Sequence, residues 1–242
     1  MRTPSVLLLG AALCLPWVAQ GQDRVATVAG TAITQGELAA GTRAVPRESR
    51  LLELIWPRIA SDYVARHGLA ATPAEIEEVV AYHREFERRD RAQRARKLEE
   101  LDKRLAEGEL APEERARLED FQATLRRLAA SDREQGPAPP QDYRHLQALY
   151  APWVEMWKFN GSIYARYGGV VTLTGIGPWP HGARAALIAD YERQGLLEFA
   201  EAGLRERVYA MLQQPPSMVV PPDLVDFTPY WKRPIPPSYF PD

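Results

Sequence analysis

Residues 23–38, DRVATVAGTAITQGEL, constrain the fold more than any other stretch of the chain. Val25 and Thr27 suit a short extended strand, Ala29-Gly30 supplies a turn, and the chain doubles back before Ile33. Thr34 and Glu37 then form a capping box, in which each side chain satisfies an amide that a helix end leaves open, so a helix starts at Thr34. Two strands this short are not stable alone. A further strand must join them from elsewhere, and residues 170–174, VVTLT, are the best candidate.

What precedes this stretch reads as an export signal over residues 1–21. Arg2 supplies the positive start, residues 6–18 are apolar, and Ala19 and Gly21 are small residues placed as a signal peptidase requires, with Gln22 as the mature start. The apolar run falls short of the roughly 18–20 residues that span a bilayer, and Pro16 interrupts it, so no stable membrane span is expected after cleavage. Cys14 is the one cysteine of the chain and leaves with the signal. The mature chain then has no thiol for a disulfide, a nucleophile or a thiolate metal site.

The chain has 242 residues, 45% of them hydrophobic and 26% charged, which suits one or two globular domains. A formal net charge of -2 argues against a nucleic-acid partner, which would call for a basic surplus. The 21 prolines are spread unevenly, with a cluster at 137–140 and a surplus after Gln214, and these mark boundaries.

Leu51, Leu52, Leu54, Ile55, Ile59, Tyr63 and Val64 recur near the helical period and predict a helix over 48–67. Pro57 inside it predicts a kink or two shorter helices. Gly68 ends it, and Thr72-Pro73-Ala74-Glu75 opens the next helix with a capping threonine, proline at the first helical position and glutamate at the third.

Taken together, the DRVATVAGTAITQGEL opening, the helix ending in ARHGL and the TPAEIEEVV restart resemble the N-terminal domain of the SurA-type periplasmic chaperones and parvulin-type prolyl isomerases. The resemblance covers residues 23–82, within a module over 22–83. It implies a periplasmic folding factor that binds unfolded outer-membrane proteins. Nothing in the chain resembles the parvulin body with its glycine-rich loops, paired histidines and aromatic pocket, so prolyl isomerase activity is not implied.

Residues 84–134 are instead a charge-dense insert. Leu98, Leu101 and Leu105 form a narrow apolar seam, answered by Leu118, Phe121, Leu125 and Leu128, with a break at Glu107-Gly108-Glu109 and a restart at Pro112. This predicts an antiparallel helical hairpin, a coiled-coil arm whose charges form a solvated surface or touch a partner.

Residues 142–214 are read as a helical portion completing the core. Trp153, Trp157, Tyr164 and Tyr167 follow helical spacing. Such a stripe is more often core, but it could also grip apolar segments of a client, and these residues are the candidate substrate-binding set. Gly168-Gly169 allows a close approach before residues 170–174, and further helices are expected over 182–194 and 196–212. The tail, 215–242, is rich in proline and aromatic residues and is extended in character. It forms either a strap over its own domain, anchored by Phe227, Tyr230, Trp231, Tyr239 and Phe240, or a docking peptide for another protein.

Motifs for chemistry are lacking. His67, His83, His145 and His181 show no metal-ligand spacing, and there is neither a nucleophile elbow nor a phosphate loop, so no cofactor, metal or catalytic residue is assigned. The expectation is a mainly α protein: a SurA-N-like helical module with a small β element and an inserted helical hairpin. Its expected role is that of an exported, ATP-independent chaperone with unfolded envelope proteins as clients. The alternatives are a prolyl isomerase with a degenerate site or a structural subunit of an envelope complex.

Overall fold

The computed structural model describes residues 23–40, 45–135, 143–175 and 177–239. The expected export signal, the proline cluster at 137–140 and the Phe240 anchor lie outside them. The fold is mainly helical with a small antiparallel sheet, as expected. The chain divides into two compact units, one of residues up to 62 with 184–217, the other of 63–183 with 218 onward.

The first unit opens with β1 (Arg24–Val28) and β2 (Thr31–Thr34), paired antiparallel so that Ala26 faces Ile33 and Val28 faces Thr31. The turn between them places Ala29 at φ 46° and Gly30 at φ 81°, the left-handed geometry whose twist matches a hairpin. Helix α1 (Gln35–Ala39) follows at once. Thr34 Oγ1 accepts from the Glu37 amide at 3.2 Å, and the Glu37 carboxylate accepts from the Thr34 amide at 2.9 Å, closing the capping box. A cap of this kind contributes about 1 kcal/mol. Arg58 donates to the same carboxylate at 2.6 Å, and these bonds hold Glu37 below the usual carboxylate range.

Helix α2 (Arg47–Arg66) is continuous across Pro57, so the run is one helix and not two shorter ones. Pro57 and Glu53 both lie on the exposed face, so the carbonyl that loses its amide partner is on the solvated side of the helix. The apolar face buries Leu51, Ile55 and Ile59, each fully.

The strand that completes the sheet is not the one expected. Residues 170–174 do not pair with β1; its second partner is β5 (Leu197–Phe199), giving the order β2-β1-β5 with Val28 opposite Leu197 and Ala26 opposite Phe199. The Ala29 amide donates to the Leu196 carbonyl at 2.7 Å and the Ala200 amide to the Val25 carbonyl at 2.9 Å, extending the ladder at both ends. The helix expected over 196–212 therefore begins later, as α7 (Ala202–Leu212), after β5. Gly195, at φ 69°, ends the preceding helix and turns the chain into β5. Within this unit Tyr191 is buried and donates its hydroxyl to Asp62 at 2.6 Å.

The second unit is built on three long helices. They are α3 (Pro73–Glu107), α4 (Pro112–Gln135) and α5 (Tyr143–Tyr167), and α3 opens on the expected Thr72–Glu75 capping box. Helices α3 and α4 form the antiparallel hairpin: Arg104 pairs with Glu114, Asp102 with Arg126, and Arg94 with Asp132, so residue numbers fall on one arm as they rise on the other. Leu101 and Leu125 are buried between the arms. Helix α5 runs antiparallel to the first half of α3, fixed by Lys158 to Glu75 at 3.0 Å and by a core of Val79, Val154 and Trp157.

Beyond α5 the chain forms a separate hairpin, β3 (Thr172–Thr174) with β4 (Gly177–Trp179). This hairpin takes up the residues expected in the other sheet. Thr174 and Gly177 are already paired, so the chain reverses within two residues and local pairing is completed without a long-range partner; Gly177, at φ 115°, also lies where a Cβ would meet the Trp157 ring at 2.6 Å. The start of α6 (His181–Arg193) then passes within touching distance of Gly169: a Cβ on Gly182 would lie 2.9 Å from the Val170 amide nitrogen and 3.1 Å from the Gly169 Cα. The close approach expected of Gly168-Gly169 is therefore made against a second glycine.

Candidate aromatic groove and apolar cleft

Helices α3 and α5 of the second unit present an aromatic groove, and helical spacing creates it. Val79, Tyr82, His83 and Phe86 share one face of α3; Tyr150, Val154 and Trp157 share one face of α5. Val79, Val154 and Trp157 form the buried floor, with Tyr82 and Tyr150 partly buried around it. His83 stacks on Tyr150 with ring centroids 5.4 Å apart.

The C-terminal tail lies in this groove as a strap. Trp231 enters the floor and is 6% exposed, edge-on to Trp157 at 5.7 Å. Tyr230 meets Tyr82, Trp157 and His83, and its hydroxyl is bonded to His83 Nε2 at 2.9 Å. Burial pushes the Tyr230 hydroxyl up and the His83 imidazole down from their ordinary values, so at neutral pH both are uncharged. Trp157 Nε1 donates to the Phe227 carbonyl at 2.6 Å, and the Phe227 ring lies over Gly161 and against Tyr164 at 4.9 Å. By contrast the Trp231 indole N–H is buried with no hydrogen-bond partner among the described residues. An unsatisfied buried donor costs about 1–3 kcal/mol.

Beside the groove is a cleft of about 230 Å³, lined by apolar side chains including Trp157, Val171, Leu173, Val220 and Leu224 and by the ion pair of Asp226 with Arg233 at 2.8 Å. One wall is the β3–β4 hairpin and the other is the strap, whose Val220 amide donates to the Val171 carbonyl at 2.8 Å. The hairpin and strap also expose Val170, Leu173, Met218, Val219 and Leu224 at 41–66%. A larger recess of about 500 Å³ lies between the hairpin arms, where Arg94 is paired to Asp132 and Lys97 to Glu100.

The residues expected to bind substrate divide between these surroundings. Trp157 is buried at the centre of the groove and Tyr164 is half-buried beneath Phe227, so the structure brings these two together under the strap. Trp153 is exposed at 42% and has no part in the groove, and Tyr167 is half-buried beneath the Arg166 guanidinium, 5.1 Å from its ring centre. Of the strap anchors, Phe227, Tyr230 and Trp231 are seated as described, and Tyr239 meets Phe86 at 6.2 Å while remaining exposed.

Sequence reasoning missed Val79, Tyr82, His83 and Tyr150. Their spacing on α3 carried the signal, but the charged residues around them hid the apolar face. The groups collected here are ring faces, aliphatic side chains and one neutral imidazole–phenol pair, an arrangement suited to holding a chain by contact. Among the described residues no group of three or more His, Cys, Asp or Glu side chains could hold a metal, and no helix is long and apolar enough to cross a membrane. Comparison with family models, curated proteins and solved structures finds no match for this chain.

Proposed function

We propose that this chain is an exported, ATP-independent folding factor of the periplasm, related to the SurA-type chaperones but without a parvulin body, and that its clients are unfolded envelope proteins. The observation that carries this reading is the cleft beside Trp157 with its exposed apolar rim. Solvent-exposed Leu173 and Leu224 line a concave, largely apolar surface, and exposed Met218 and Val219 directly precede its lining residue Val220; together they give a transient site for apolar chain segments, and isolated exposed side chains would not. Ring and aliphatic contacts are non-directional, so they tolerate many client sequences.

The test is suppression of aggregation of a denatured outer-membrane protein on dilution, without nucleotide. The full chain is expected to suppress light scattering, and the double variant Leu173→Asp/Leu224→Asp to lose most of that effect while keeping its helical circular dichroism. No suppression at several-fold excess of the full chain overturns the proposal. In a proline-limited refolding assay the slow phase, on the order of tens of seconds, is expected to be unchanged, since binding alone does not lower the isomerisation barrier.

A further inference from the structure

We propose that the strap is an internal pseudo-client: residues 226–237 occupy a groove that also takes a proline- and aromatic-bearing segment of an unfolded chain, and release of the strap opens it. This rests on the folding-factor reading above and gives it a site and a means of regulation.

The way the strap is held carries the argument. The Trp157 indole grips the backbone carbonyl of Phe227, an acceptor that any extended chain offers whatever its side chains. The remaining contacts are largely ring against ring, with Tyr230 among Tyr82, His83 and Trp157, and Trp231 on Trp157. Phe227 packs over Gly161 and its ring against Tyr164, again by contact rather than by directional bonds. Pro229, Pro234, Pro236 and Pro237 restrict the segment's backbone, and Tyr230 and Trp231 enter the groove from a single 3-10 turn, Tyr230–Lys232, a local conformation that a short stretch of unfolded chain can adopt without tertiary support.

The fit is also imperfect in a way that favours exchange. The Trp231 indole N–H goes unpaired in the floor, whereas a phenylalanine or leucine from a client would bring no donor there. The Lys232 to Glu78 pair, at 3.4 Å, joins two side chains that are about half exposed, and solvent screens it. Finally, the strap is one wall of the exposed cleft, so a client entering beside Leu173 meets the strap directly, and withdrawing it joins cleft and groove into one surface.

The test uses a fluorescent synthetic peptide with the sequence of residues 226–237, DFTPYWKRPIPP, titrated by anisotropy against the full chain and against Trp231→Ala. An occupied groove lowers apparent affinity by the fraction of chains whose strap is released, so Trp231→Ala is expected to bind the peptide about tenfold more tightly or better. Equal binding by the full chain and a folded Trp231→Ala overturns the proposal. So does strap exchange between two copies, seen as a dimer of the variant that ignores the peptide. If Trp231→Ala loses its helical signal, the milder Tyr230→Phe/Lys232→Glu decides by the same comparison, with tighter binding upholding the proposal and unchanged binding overturning it. The aggregation assay separates the two ideas. Suppression by the full chain with no strap effect on peptide binding sinks only the pseudo-client, and a strap effect without suppression by any form sinks only the folding factor.

Discussion

At the scale of single residues, His83 is where the environment does most to a side chain's chemistry. It sits half-buried between Tyr150 and Tyr230, with the charge of Glu87 as the opposing influence, and burial wins: its pKa is lowered from the ordinary value near 6.5. In the unfolded chain the imidazole takes a proton at that ordinary value, while in the folded chain it resists. Between the two values the unfolded state binds more protons, so stability rises with pH across that window and is lost as pH falls. The imidazole also changes role, because the protonated ring can only donate to Tyr230, whereas the neutral ring can accept from it. The expected outcome is a denaturation midpoint that declines as pH drops below about 6.5. His83→Gln, which keeps a hydrogen-bonding side chain and cannot titrate, is expected to flatten that decline. Parallel pH profiles for the two proteins would show that the imidazole carries none of the effect.

At the scale of elements, the hairpin of α3 and α4 tests what holds two charged helices together. Arg94, Arg104 and Arg126 each reach an acid on the opposite arm; the Arg94 pair is partly buried, while the exposed Arg104 and Arg126 pairs contribute less than about 1 kcal/mol each. Leu101 and Leu125 are buried in the seam, and truncating such a residue costs about 2–5 kcal/mol. Leu125→Ala is therefore expected to lower the denaturant midpoint clearly, while Asp102→Asn, which removes the pair to Arg126, leaves it nearly unchanged. A larger loss in Asp102→Asn would mean that the charges hold the arms. Elements like these were legible in the sequence because their signals are local: both capping boxes, the Ala29-Gly30 turn, the break near Gly108 and the seam leucines all act within a few residues. The strand completing the sheet was not. Residues 170–174 and 197–199 are both short apolar runs after glycine, and only the reversal between Thr174 and Gly177 in the first and the ladder to Val25 and Ala29 in the second separate them. The groove was half legible, since Trp157 and Tyr164 showed in the stripe on α5 while the α3 face lay hidden among charges, and the match between groove and strap is a tertiary fact.

At the scale of the whole molecule, the first unit is discontinuous in sequence. Its central strand, β1, lies near the start of the chain, and β5, the strand on its other edge, comes from the far side of the residues that form the second unit. Until residues 197–199 are present, β1 has an unpaired edge and its buried Val25, Ala26 and Val28 belong to an incomplete sheet. Pairing across so long a separation is entropically slow, which leaves that edge open during folding. Two truncations separate this requirement from that of the strap. A chain ending at residue 183 lacks α7, β5 and nearly all of α6, and is expected to aggregate or to lose protection of the Ala29 amide against hydrogen exchange, because its acceptor Leu196 is gone. A chain ending at residue 217 keeps every described element of the first unit and is expected to protect the Ala29 and Ala200 amides as the full chain does. In that shorter deletion, faster exchange should appear around Val79, Val154 and Trp157, whose cover is Trp231. Persistent protection of Ala29 in the chain ending at 183 would show that β1 and β2 hold together without β5, against the instability of an isolated two-stranded hairpin.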